Sequence, residues 1–93
     1  KISNSEKIII FGTGNFGKIV LKALTNINKN IEGFADNNRN NWGKKVFDYE
    51  IFSEEKIKNN FKNCLFIIAS LNYSYIKRQL ESYGIKKTGR NSS

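Results

Sequence analysis

Two stretches of the chain are apolar without interruption, and both read as strands buried on two faces. Ile8, Ile9, Ile10 and Phe11 form the first, and Cys64 to Ala69, Cys-Leu-Phe-Ile-Ile-Ala, forms the second. Between them the spacing changes. Phe16, Ile19, Val20, Ala23 and Leu24 recur at i, i+3, i+4, i+7 and i+8, which predicts a helix turning that stripe inward. Asn30 to Asp36 reads as a second short strand, followed by a polar loop from Asn37 to Lys45 and a strand or extended segment from Val46 to Phe52. Trp42 is expected to pin that loop to the body. Ser53 is placed as the N-cap of a second helix, with Glu54 and Glu55 in its first turn and Lys56 where a capping-box acid would stand. A third helix is expected from about Tyr73 to Tyr83, stopped by Gly84, with Ile85 packing back on Leu80.

Strands alternating with helices predict an α/β fold, and short right-handed crossovers make its sheet parallel. The Cys64–Ala69 strand should then lie beside the first, with a crevice opening between their carboxyl ends. The expected division is 1–6 as a linker or frayed terminus, 7–85 as the folded domain and 86–93 as a polar tail. A further strand would be expected after the third helix, so the fold reads as small or truncated.

The candidate chemistry sits directly after the first strand. Gly12, Gly14 and Gly17 make a G-x-G-x-x-G between strand and helix, and each glycine has its own task there. Gly12 permits the tight turn, Gly14 lets phosphates approach bare backbone, and Gly17 lets the helix pack on the strand. The first N–H groups of the helix then point toward an anion, and a diphosphate is the natural guest. Asp36 stands nineteen residues beyond Gly17, where such folds hold the hydroxyls of a ribose. Its charge favours a free 2′-hydroxyl, hence NAD or a nucleoside diphosphate over NADP, although Arg39 nearby would soften that exclusion.

Composition narrows the remaining options. The net charge is +8, yet the basic residues are dispersed and no nucleic-acid-binding motif accompanies them, so no nucleic-acid partner is expected. No apolar run is long enough to insert into a membrane, and no signal peptide is evident. The single Cys64 cannot form an intrachain disulfide and reads as a buried thiol, which fits a cytoplasmic setting. Histidine is absent and no metal-ligand spacing occurs, so no catalytic or metal residue is assigned. Tyr73 and Lys77 form a Y-x-x-x-K, but in the helix straight after a strand this reads as a helix start with a surface lysine.

The succession FGTGNFGK, FADNN, WGKKVFDYEIFSEE, LFIIAS and YIKRQLESYGI resembles the Rossmann-like modules of bacterial surface-polysaccharide biosynthesis. Those modules are related to nucleotide-sugar dehydratases and epimerases, or are attached to sugar methyltransferases, acyltransferases and glycosyltransferases. The resemblance spans Lys7 to Ile85. It implies a three-layer open parallel sheet with helices on both faces. It also implies NAD or a UDP- or dTDP-sugar held by Gly12, Thr13, Gly14, Asn15, Phe16, Gly17 and Asp36, with Asn37 and Ser70 as further candidates. In that reading the chain is the nucleotide-binding part of a sugar-modifying protein, as a homodimer or attached to a catalytic domain. The chain is similar also to the NAD-sensing regulatory domains of potassium channels, which implies the alternative of a sensor without a reaction of its own.

Overall fold

A computed structural model describes residues 6–90 of the chain, so 1–5 of the linker expected over 1–6 and 91–93 of the expected tail lie outside the described residues. The elements are β1 (Lys7–Phe11), α1 (Asn15–Asn26), β2 (Asn30–Ala35), β3 (Lys45–Val46), β4 (Tyr49–Phe52), α2 (Glu54–Asn60), β5 (Leu65–Ile68), α3 (Tyr73–Ser82) and β6 (Thr88–Arg90), with a single 3₁₀ turn at Arg39–Asn41. The strands form one sheet in the order β3-β4-β2-β1-β5-β6. Every neighbouring pair is parallel except β3 with β4. This is the expected α/β architecture.

Ile8, Ile9 and Ile10 have no exposed surface, because β1 is central and alternate side chains enter opposite layers. Ile9 and Phe11 join Ile57, Ile76 and Leu80 in the layer carrying α2 and α3. Ile8 and Ile10 join Val20, Leu21 and Leu24 beneath α1. Each such side chain contributes roughly 1.5–3 kcal/mol on burial. The two layers therefore fix the strand ends from both faces of the sheet.

Three local expectations change. The inward face of α1 is Gly17, Val20, Leu21 and Leu24, whereas Phe16 is 41% and Ile19 62% exposed. The apolar spacing left Gly17 out of the stripe, although the glycine motif marks it as the position that packs on the strand, and this rotated the apparent stripe. Val46 to Phe52 is not one segment, because Phe47 and Asp48 both take positive φ and turn β3 back onto β4 as a two-residue hairpin. The expected tail is in part a strand: Thr88–Arg90 pairs parallel with Phe66, Ile67 and Ile68. Buried Ile85 anchors its entry, and backbone bonds rather than apolar side chains hold it.

The helix ends follow their sequence signals. Ser53 Oγ accepts from the backbone N–H of Lys56 at 3.2 Å, and the N–H groups of Gly84 and Ile85 donate to Glu81 and Leu80 to close α3. Cys64 is buried just before β5, and loss of hydration there pushes its thiol up.

Candidate nucleotide-binding site

The connection through α1 places β2 on one side of β1, while the connection through α2 returns the chain to place β5 on the other. The order of strands therefore reverses between β1 and β5. Loops leaving their carboxyl ends diverge at that point, which in open α/β sheets is where a ligand crevice forms. The glycine turn, Asp36 and Ser70 all lie along this edge.

The three glycines prove to be unlike one another. Gly12 has φ +129°, and a Cβ on it would run into the carbonyl of Ala69 at the end of β5. A Cβ on Gly17 would run into the carbonyl of Gly12. Packing within the protein thus requires both. Gly14 has φ −82°, which any residue adopts, and a Cβ on it would meet nothing within 4 Å. The fold gives no reason for a glycine at that position.

Gly14 is also the N-cap of α1, and no side chain caps the helix or places an acid in its first turn. Asn15 and Phe16 are exposed beside it. The start of α1 therefore presents backbone to the open side of the crevice.

Asp36 faces the turn. Thr13 Oγ1 donates to its Oδ2 at 2.6 Å, Asn41 Nδ2 donates to the same oxygen at 2.9 Å, and the Asn38 N–H donates to Oδ1 at 2.9 Å. Burial on its own would raise this carboxyl, but the donors led by Thr13 outweigh it and hold Asp36 below the ordinary carboxylate range. The carboxylate is charged and already ties the glycine turn to the loop after β2. Trp42 is half-buried and its indole N–H donates to the Asp36 carbonyl at 2.7 Å, so it pins the loop as expected.

Asn37 follows Asp36 on the same lip. Its side-chain amide exchanges two hydrogen bonds with Gln79 of α3, at 3.0 and 2.7 Å. Ser70 follows β5, and its Oγ accepts from the Asn72 N–H at 3.1 Å. Arg39 does not stand over Asp36; it lines a shallow hollow with Trp42, Glu54 and Glu55 toward α2. Lys77 pairs with Glu81 at 2.8 Å, and the Arg90 guanidinium lies over the Tyr73 ring at 4.0 Å. The sequence reading missed Asn41 and Gln79. A polar run such as 37–41 signals local Asx turns, but nothing in it announces a bond to α3.

A solved structure of RSP in complex with β-NAD+ and operator DNA matches at 25% identity and a TM-score of 0.68, over 91% of this chain and 42% of that one. RSP as a Rex-family repressor matches at 24% identity and a TM-score of 0.71, over 94% and 45%. RSP in complex with β-NADH matches at 24% and 0.69, over 94% and 46%. The last two show the fold, and the chain spans less than half the length of these neighbours. No curated protein matches. The expectation that nucleic acid has no part among the partners is corrected here, because the neighbour at 25% identity holds operator DNA together with β-NAD+. Among the described residues no helix is long and apolar enough to cross a membrane. A family model described as C2185-like, N-terminal matches residues 4–89, and the chain belongs to that family.

Proposed function

We propose that this C2185-like, N-terminal domain binds NAD+ or NADH and serves as a nucleotide sensor rather than as the seat of a reaction. The observation that carries the reading is Gly14: a glycine with no intramolecular reason, at the uncapped start of a helix, where the strand order reverses. The backbone N–H groups from Asn15 to Gly17 would receive the pyrophosphate, with Gly12, Thr13 and Phe16 shaping the seat. Asp36 and Asn37 would lie on the adenosine side and Ser70 on the far lip. The likeness to RSP, which holds β-NAD+ and operator DNA together, supports a role in which occupancy of the crevice is reported to a function acting on DNA.

A thermal-shift panel of NAD+, NADH and UDP- and dTDP-sugars tests this. NAD+ or NADH should raise the melting temperature, and Gly14→Leu should remove the rise without unfolding the chain. An unchanged melting temperature with both nicotinamide nucleotides would sink the proposal. The nucleotide-sugar reading rests on one observation, the Trp42-Gly43-Lys44 loop leading into the β3–β4 hairpin. A larger rise with a UDP- or dTDP-sugar than with NAD+ would favour it.

A further inference from the structure

The outer side of α1 carries residues that folding does not explain. Ile19 keeps most of its surface in solvent, and Lys18 and Lys22, four apart on the same helix, repel one another. Beside them a trough of about 720 Å³ runs between α1 and the β3–β4 hairpin. Its floor is Leu21 and Tyr49, and Tyr49 is anchored by an edge-on contact with the buried Phe34 ring, 6.4 Å between centroids. Ile19 and Phe47 line it nearer the solvent.

Phe47 stands there at a conformational cost. It occupies the hairpin turn with φ +47°, ahead of Asp48 at +71°, where Asn or Gly would sit without strain, and it is 66% exposed. An aromatic side chain held outward in this way gains nothing from the core. The apolar surface it adds belongs to the trough.

The charge around the trough has one sign. Lys18 and Lys22 stand at it, and no acid lines it. The four ion pairs among the described residues engage Lys56, Lys58, Lys77 and Lys87, so neither Lys18 nor Lys22 is offset that way. An apolar floor disfavours a phosphate chain, because phosphates pressed onto Leu21 and Tyr49 would lose hydration without gaining a donor. Basic flanks disfavour a second copy of this chain, whose net charge is +8. A segment with apolar side chains on one face and carboxylates beside them matches both features.

We infer that this trough docks an acidic amphipathic helix of a partner protein, apolar face down and carboxylates toward Lys18 and Lys22. The lining runs along α1 from Asn15 to Thr25, about 15 Å, which is the length of a helix of about three turns. Its walls are side chains rather than a strand edge, so the occupant has to satisfy its own backbone groups, as a helix does. Carboxylates four apart on that helix repeat at the interval of Lys18 and Lys22. The inference does not depend on a nucleotide at the glycine turn.

Fluorescence anisotropy on the 93-residue chain tests it with two labelled peptides of about twelve residues. Both carry leucine at i, i+3, i+4 and i+7, one with glutamate and the other with lysine at the flanking positions. The glutamate peptide should bind at least about tenfold tighter than the lysine peptide. Ile19→Ser with Phe47→Ser, both exposed positions, should weaken it about tenfold and leave the melting temperature unchanged. Lys18→Glu with Lys22→Glu should transfer the preference to the lysine peptide. Equal binding of the two peptides, no binding of the glutamate peptide, or binding indifferent to the Ile19 and Phe47 changes would overturn the inference. So would a single-stranded DNA bound at this face, or a concentration-dependent dimer, if the same two changes abolished it.

Discussion

Helices α1 and α2 both begin at the carboxyl edge of the sheet, yet their first turns are opposites. At α2, Ser53 accepts from the Lys56 N–H, and Glu54 and Glu55 place negative charge on the positive end of the helix. At α1, Gly14 offers no side chain and the first turn holds no acid. Helix α3 resembles α1: Asn72 makes no side-chain cap bond, and no acid follows it. The two helices without caps are those that leave β1 and β5, the strands flanking the crevice, while the capped one leaves β4 further out. The capped helix thus stands away from the point where the strand order reverses, and the two uncapped helices stand beside it. Capping α1 would have filled the position where a diphosphate could sit.

The contrast can be broken or sharpened in five ways. Gly17→Ala should have the largest effect, lowering unfolding free energy by about 2 kcal/mol in denaturant titration, because the new methyl has only the Gly12 carbonyl to push against. Gly14→Ala should lie within about 0.5 kcal/mol of the parent, and a large loss there would mean that Gly14 is structural after all. Ser53→Ala should cost about 1 kcal/mol by removing the α2 cap. Gly14→Asp transplants the α2 solution to α1: stability without ligand should rise by about 0.5 kcal/mol, and any nucleotide-induced thermal shift should vanish. The smallest effect concerns pH. Asp36 is held below its ordinary value, so the stability contributed by its donors is complete above about pH 3.9 and is lost as pH falls through the depressed folded value. Urea midpoints followed down through that range should fall less steeply for Asp36→Asn than for the parent.

Much of the scaffold was legible because burial is a local signal. The apolar runs 8–11 and 64–69 could only be inner strands, and Gly12, Gly17 and Ser53 carried recognisable backbone roles. The β3–β4 turn was not legible, because Phe47-Asp48 lacks the Asn or Gly that marks such a turn. Strand β6 was not legible either, since Thr88, Gly89 and Arg90 carry no apolar pattern and are held by pairing with β5. At the site, sequence spacing placed Asp36 opposite the turn. It could not show that Thr13, Asn38 and Asn41 would already surround the carboxylate, nor that Arg39 would swing toward α2, because both depend on how the loop from 37 to 45 folds back under Trp42.

The paired amides of Asn37 and Gln79 tether the loop behind β2 to a helix whose own strand stands two places away in the sheet. Any guest group that engaged Asn37 would do so in competition with Gln79, and Gln79 also donates to the Tyr83 hydroxyl at 2.8 Å. A change of rotamer at Asn37 is thus felt through Gln79 by Tyr83 at the far end of α3.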